Sequence, residues 1–142
     1  MTPAELKRLQ KAPTEEQEAR WLFTWSQTQR WRGEPLCNYL IAIPNGAYLG
    51  KDPKTRAITM GILKATGVQP GVYDYIVPVP TIIQGIIWPG LWLELKRTKG
   101  GTVSEEQKAF GKRMGLLGWR CQVARGWVEA SKAIQTYLAG VP

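Results

Sequence analysis

The 142-residue chain contains no histidine. That absence excludes a Ser-His-Asp triad, an imidazole general base and the usual imidazole-bearing zinc sites. Any catalysis has to run on carboxylates, Lys, Tyr, Cys or a metal held by oxygen. Cysteine is scarce too: Cys37 and Cys121 stand far apart, form no CxxC and match no zinc spacing. Their apolar, strand-like surroundings read as buried free thiols, which points to a reducing, cytoplasmic setting. No apolar run reaches the length of a membrane span, and the opening Met-Thr-Pro-Ala-Glu-Leu-Lys carries no apolar signal segment. Acidic residues are the minority charge, 11 against 19 Lys and Arg, which leaves a net charge of +8. That balance suits a polyanionic partner. Neither a membrane nor an organic cofactor is expected.

What is present is enough for one domain with a proper core. Residues 1–12, with Lys7, Arg8 and Lys11, read as a basic lead-in, and 13–142 as the domain itself. Thr14 with Gln17 has the spacing of a capping box, and Glu15, Glu16 and Glu18 fall in a first helical turn, where the dipole favours anions. The spacing of Trp21, Leu22 and Trp25 predicts one apolar stripe on a helix that ends near Gly33. Residues 36–43 read as a strand stopped by the turn signal Pro44-Asn45-Gly46, residues 48–53 as a loop, and 54–66 as a helix. That helix offers Ala57, Ile58, Gly61, Ile62 and Ala65 as inner positions, with Gly67 at its C-terminus. Pro70-Gly71 turns the chain into a strand over 75–79. Residues 78–89, rich in isoleucine and flanked by prolines, read either as a hairpin folded onto the core or as an exposed patch for self-association. A helix capped by Ser104 over 105–117, a strand over 119–124 and a last helix with Val128, Ala130, Ile134 and Leu138 inward complete the order. The result is a mixed α/β domain with one sheet flanked by helices.

The chemistry centres on residues 90–96, Gly-Leu-Trp-Leu-Glu-Leu-Lys. Strand alternation sends Leu91, Leu93 and Leu95 to one face and Trp92, Glu94 and Lys96 to the other. Alone, Glu-x-Lys is as readily a solvated ion pair. Asp74, which ends a glycine-bearing turn just before the preceding strand, changes the reading. Two acids and a Lys converging from neighbouring strands suit phosphodiester hydrolysis with Mg²⁺. Asp74, Glu94 and the backbone carbonyl of Leu95 are the candidate metal ligands, and Lys96 stands near the attacking water or the phosphate. Gln107 reads as a cap for its own helix or as a side chain that enters the site. Glu15 and Glu18 read as first-turn acids or as a third carboxylate for the metal. Arg97, Lys99, Lys51, Lys54 and Arg56 are candidate DNA-binding cations, with Gly100-Gly101 permitting close backbone approach. Trp31, between Arg30 and Arg32, is the candidate for stacking on a base.

Taken together these stretches resemble the virus-type replication-repair nuclease domain, VRR-NUC, of the PD-(D/E)xK nucleases. Thr-Glu-Glu-Gln-Glu-Ala (14–19) with Leu-Phe-Thr-Trp (22–25), Ile-Pro-Asn-Gly (43–46), Gly-Val-Tyr-Asp (71–74), Leu-Glu-Leu-Lys-Arg (93–97) and Val-Ser-Glu-Glu-Gln (103–107) carry the likeness. The resemblance implies a restriction-endonuclease-like α/β fold and Mg²⁺- or Mn²⁺-dependent DNA cleavage. It implies Asp74 and Glu94 as metal ligands, Lys96 as catalytic lysine, Gln107 as a site residue, and Glu15, with Glu18 as alternative, as the first-helix acid. It also implies a homodimer acting on branched DNA such as Holliday junctions, in replication, repair or recombination. For a phage-encoded member, the place of action would be the host cytoplasm. Two departures stand out: Tyr73 takes the family's proline position, and residues 81–88 replace a polar, glycine-rich connection. A non-cleaving DNA-binding module, a partner-dependent nuclease subunit and a protein-interaction role for the apolar connection are the rival readings.

Overall fold

The computed structural model describes residues 1–9, 11–44 and 52–140. The elements run α1 (Pro3–Leu9), α2 (Glu15–Thr28), β1 (Arg30–Trp31), β2 (Glu34–Pro35), a 3-10 turn (Leu36–Tyr39), β3 (Ile41–Ala42) and α3 (Pro53–Ala65). They continue β4 (Tyr75–Val77), β5 (Thr81–Ile83), β6 (Ile86–Trp88), β7 (Leu91–Lys96), α4 (Glu105–Leu116), β8 (Arg120–Arg125) and α5 (Trp127–Ala139). The main sheet has the order β3-β4-β7-β8. Its first three strands are antiparallel neighbours, while β7 and β8 are parallel because α4 carries the chain across between them.

The sheet is covered on both faces. Leu91, Leu93 and Leu95 point to one side and pack with Leu22 of α2 and Ile134, Tyr137 and Leu138 of α5. On the other side Trp92 meets Phe110 of α4 edge-on at 5.0 Å and Trp119 at 5.9 Å. The polar face of β7 is therefore not solvated, as the ion-pair reading required. Glu94 and Lys96 are both buried, and Gln107 of α4 reaches Glu94. The expected α/β architecture, a mixed sheet between helices, is the one observed.

Several local expectations are corrected. Both capping boxes form, at Thr14–Gln17 and Ser104–Gln107, but α2 stops at Thr28 and the chain then makes a hairpin, β1–β2. Its two-residue loop, Arg32-Gly33, has positive φ at both positions, which the right-handed twist of paired strands demands. The strand expected over 36–43 is mostly a 3-10 turn, with only Ile41–Ala42 pairing to β4. Helix α3 forms with Asp52 as its cap, yet none of its residues is buried, so Ile58 and Ile62 are exposed rather than inward. Val128 is likewise exposed, while Ala130, Ile134 and Leu138 are in the core. Both cysteines are free and half-buried. The turn at Asn45-Gly46 and the loop residues up to Lys51 lie outside the described residues.

The isoleucine-rich connection is a hairpin, β5–β6, closed by Gln84-Gly85 with positive φ at both residues. Each of the two readings describes part of it. Thr81 is buried and Ile83 and Trp88 pack against the core, whereas Ile82, Ile86 and Ile87 are exposed. The Ile82 N–H donates to the Gly140 carbonyl at 2.8 Å, tying the hairpin to the end of α5. Because β4 leads into the hairpin and β7 leads back from it, the hairpin stands at the opposite end of that strand pair from Asp74 and Lys96. The departure from the family's connection thus lies away from the candidate site.

Candidate active site

Asp74 is placed by a tight turn. Gly71 has φ +85°, and a Cβ there would overlap the Glu106 main chain at the start of α4. Only glycine suits both the dihedral and the contact. Tyr73, in the family's proline position, is buried with its ring 5.2 Å from Phe110. Its hydroxyl occupies the space a side chain at Gly111 would need. A buried aromatic anchor thereby holds the backbone just before the aspartate. The Asp74 carbonyl accepts from the Ile43 N–H at 2.7 Å, and its carboxylate Oδ2 accepts from the Leu95 N–H at 3.0 Å.

Glu94 is the buried hub. Its Oε2 accepts from the Asp74 N–H at 3.1 Å. Its Oε1 accepts from Gln107 Nε2 at 2.6 Å and lies 3.2 Å from Lys96 Nζ. Burial pushes the Glu94 carboxyl up to about 7, and the charge of Asp74 adds to the rise against the opposing pull of Lys96. Gln107 serves both of its readings at once. Its N–H donates to Ser104 Oγ at 3.1 Å and its Oε1 accepts from the Ser104 N–H at 3.0 Å, while Nε2 holds Glu94. The capping box therefore fixes the rotamer that reaches into the site.

The first-helix acids separate. Glu15, exposed at the start of α2, brings a carboxylate oxygen to Asp74 and Glu94, so that the three oxygens lie within 4.8 Å of one another. Glu18 turns away into the interior and accepts the Trp127 N–H at 2.7 Å, which caps α5 from a neighbouring helix. Of the two alternatives, Glu15 is the acid in the cluster, while Glu18 is engaged with the start of α5. Leu95 contributes its amide to Asp74 and buries its side chain. The cluster fits a hard divalent cation on chemical grounds. Its donors are all carboxylate oxygens, and a cation would favour the ionised form of Glu94, whose carboxyl is raised first by burial and then by the charge of Asp74.

Arg97 is half-buried and Lys99 exposed in the loop after β7. Arg125, which the sequence reading passed over, shapes that loop: its Nη1 donates to the carbonyls of Gly100 and Gly101 at 2.9 and 3.0 Å. Both glycines have positive φ. Lys54 and Arg56 are exposed in the first turns of α3; Lys51 lies outside the described residues. A cleft of about 330 Å³ opens beside Gln107, lined also by Met60, Lys64, Val68 and Gly71. Trp31 is half-buried against the core, crossed by Tyr39 at 4.8 Å and covered by the Arg32 guanidinium at 4.8 Å. It is therefore not the open stacking face that its position between two arginines suggested.

No protein-family model matches the chain, and no curated protein matches it. Among solved structures, one described as a "VRR_NUC domain protein" is similar, with a TM-score of 0.74 and 23% sequence identity over 92% of this chain and 93% of that one. The likeness is one of fold and extends over nearly the whole of both chains. The α/β fold implied by the sequence resemblance is thus the fold of this chain.

Proposed function

We propose that the chain is a divalent-metal-dependent DNA endonuclease that hydrolyses phosphodiester bonds, with a preference for branched DNA. The observation that carries the reading is the convergence of Glu15, Asp74 and Glu94 from a helix and two adjacent strands, with Lys96 ion-paired to Glu94. A non-cleaving DNA binder has no use for three carboxylates gathered where phosphate must approach. The fold shared with the VRR_NUC domain protein supports the same reading.

Glu15, Asp74, Glu94 and the Leu95 backbone carbonyl would hold Mg²⁺ or Mn²⁺. When bound, the cation supplies charge neutralisation at the phosphate and activation of water. Lys96, held by Glu94, places a positive charge where the pentavalent phosphorus gathers negative charge. Gln107 keeps Glu94 Oε1 oriented through a hydrogen bond that its own helix cap braces. Arg97, Lys99, Lys51, Lys54 and Arg56 neutralise backbone phosphates, which positions the duplex without reading its sequence. Homodimerisation belongs to the same proposal: a two-fold pair would present one centre to each of two opposed strands. The exposed Ile82, Ile86 and Ile87 support it. Among the described residues no helix is long and apolar enough to cross a membrane, and the proposed setting is the cytoplasm, that of the host for a phage-encoded chain.

A cleavage gel tests the reading on duplex, nicked, flapped and four-way-junction DNA, with Mg²⁺, Mn²⁺ or EDTA. Metal-dependent product, greatest on branched forms and absent for Asp74→Asn, is expected. Product that persists in EDTA, or in the variant, contradicts it. Sedimentation across a concentration series that shows monomer throughout would remove the dimer.

A further inference from the structure

The tryptophans of α2 and the start of α5 form a surface that the proposed centre does not use. Trp21, Trp25 and Trp127, with Thr24 and Thr28, line an open cleft of about 490 Å³. Trp21 is 44% exposed, whereas Trp25 and Trp127 are half-buried against the core and hold their places by packing. Three indole rings sharing one open cleft form a contiguous apolar patch rather than a singly exposed side chain.

The surroundings say what would fill it. Trp127 is tied by its N–H to Glu18, and the preceding Gly126 N–H donates to the Lys96 carbonyl at 2.8 Å. A Cβ at Gly126 would also overlap the Thr98 methyl, so the Arg97–Lys99 loop lies directly against this turn. Arg125, one residue earlier, fixes the Gly100-Gly101 end of the same loop. The Arg97 Nε is buried and makes no hydrogen bond within the described residues. The loop that carries the cations Arg97 and Lys99 therefore adjoins, at Thr98, the turn that leads into the Trp127 platform. That pairing of a cationic track with aromatic platforms is the chemistry of single-stranded nucleic acid.

We infer that the Trp21–Trp25–Trp127 cleft takes an unpaired nucleobase of the DNA strand whose phosphates follow the Arg97–Lys99 loop. The inference rests on the proposed function and names its substrate class: DNA with unstacked bases next to the cut. The Thr28 hydroxyl is engaged with the Trp25 carbonyl at 2.7 Å and donates to no base, so stacking in the cleft is indifferent to base identity. Structure, rather than sequence, is then what the protein selects.

The test is binding without cleavage, so that it stands apart from the nuclease reading. Fluorescence anisotropy in EDTA would compare a labelled oligodeoxythymidylate of about ten nucleotides, within the range one binding face spans, with an abasic strand of equal length and charge. The wild type should hold the base-bearing strand roughly tenfold more tightly, as expected for one stacked base. Trp21→Ala should lose that preference with the abasic affinity unchanged, and Trp21→Phe should keep much of it. A thermal melt checks that both variants are folded. Equal affinity for the two strands in the wild type, binding of neither, or a preference that survives Trp21→Ala overturns the inference. Cleavage absent on every substrate with the base preference intact would overturn the nuclease reading alone.

Discussion

Replacing Asp74 with asparagine should flatten the pH dependence of the metal-free protein's stability. Glu94 ordinarily ionises at 4.5, and in the fold its carboxyl is raised to about 7, first by burial and then by the charge of Asp74. Between those values the folded chain keeps a proton that the unfolded chain has released. Stability is then highest at and below the lower value and falls as pH rises toward about 7. The gap corresponds to about 3 kcal/mol at most, or roughly 10 °C in melting temperature for a domain of this size. The chain has no histidine to titrate in the same window. Asparagine keeps an acceptor for the Leu95 N–H but removes the charge, so part of the penalty disappears. Urea titrations in EDTA at pH 5, 6, 7 and 8 would show the wild type losing stability across the range and the variant losing less. Parallel pH profiles for the two proteins, or wild-type stability that rises from pH 5 to 8, would refute the electrostatic account of this site.

Other perturbations test separate parts. Lys96→Ala should lower the single-turnover cleavage rate roughly 10²- to 10³-fold, the usual loss for one transition-state donor; a wild-type rate would remove Lys96 from the chemistry. Gly71→Ala should destabilise by about 2 kcal/mol or more, from a left-handed dihedral and an overlap with the α4 backbone, and denaturant unfolding would measure it. Glu18→Gln retains an acceptor for the Trp127 N–H whereas Glu18→Ala does not, so only the second should cost about 1–2 kcal/mol. Calorimetric Mn²⁺ titration should show equal affinity in Glu18→Gln and the wild type, which a direct ligand role would not permit. DNA affinity in EDTA should fall steeply with salt, with a logarithmic slope of about −0.9 per duplex phosphate contacted; a flat dependence would dismiss the cationic face.

What was legible in the sequence was whatever local chemistry decides. Thr14 and Gln17, and Ser104 and Gln107, are capping boxes by spacing alone, and both form. The alternation of β7 and the position of Asp74 at a glycine turn foretold a shared edge of two strands, which the pairing of β4 with β7 provides. What escaped was settled by tertiary contact. The spacing of Glu15 and Glu18 does not say which acid turns inward; the open N-terminus of α5, far along the chain, takes Glu18. Apolar spacing made α3 look half-buried, yet among the described residues no other element covers Ile58 and Ile62. Arg-Gly and Gln-Gly are weaker turn signals than Asn-Gly, so the hairpin at Arg32-Gly33 was missed. Trp31 looked open between two arginines because sequence cannot show Tyr39 and Arg32 folded over it.

The central claim is that Glu15, Asp74 and Glu94 form a cation-dependent centre for cutting DNA. Its most direct test is single-turnover cleavage of a four-way junction as Mn²⁺ is titrated, for the wild type beside Glu15→Gln, Asp74→Asn and Glu94→Gln. The account predicts saturable, metal-dependent cleavage in the wild type, abolished by changing either strand carboxylate and weakened in metal dependence by Glu15→Gln. Cleavage by all three variants at the wild-type metal concentration would contradict it.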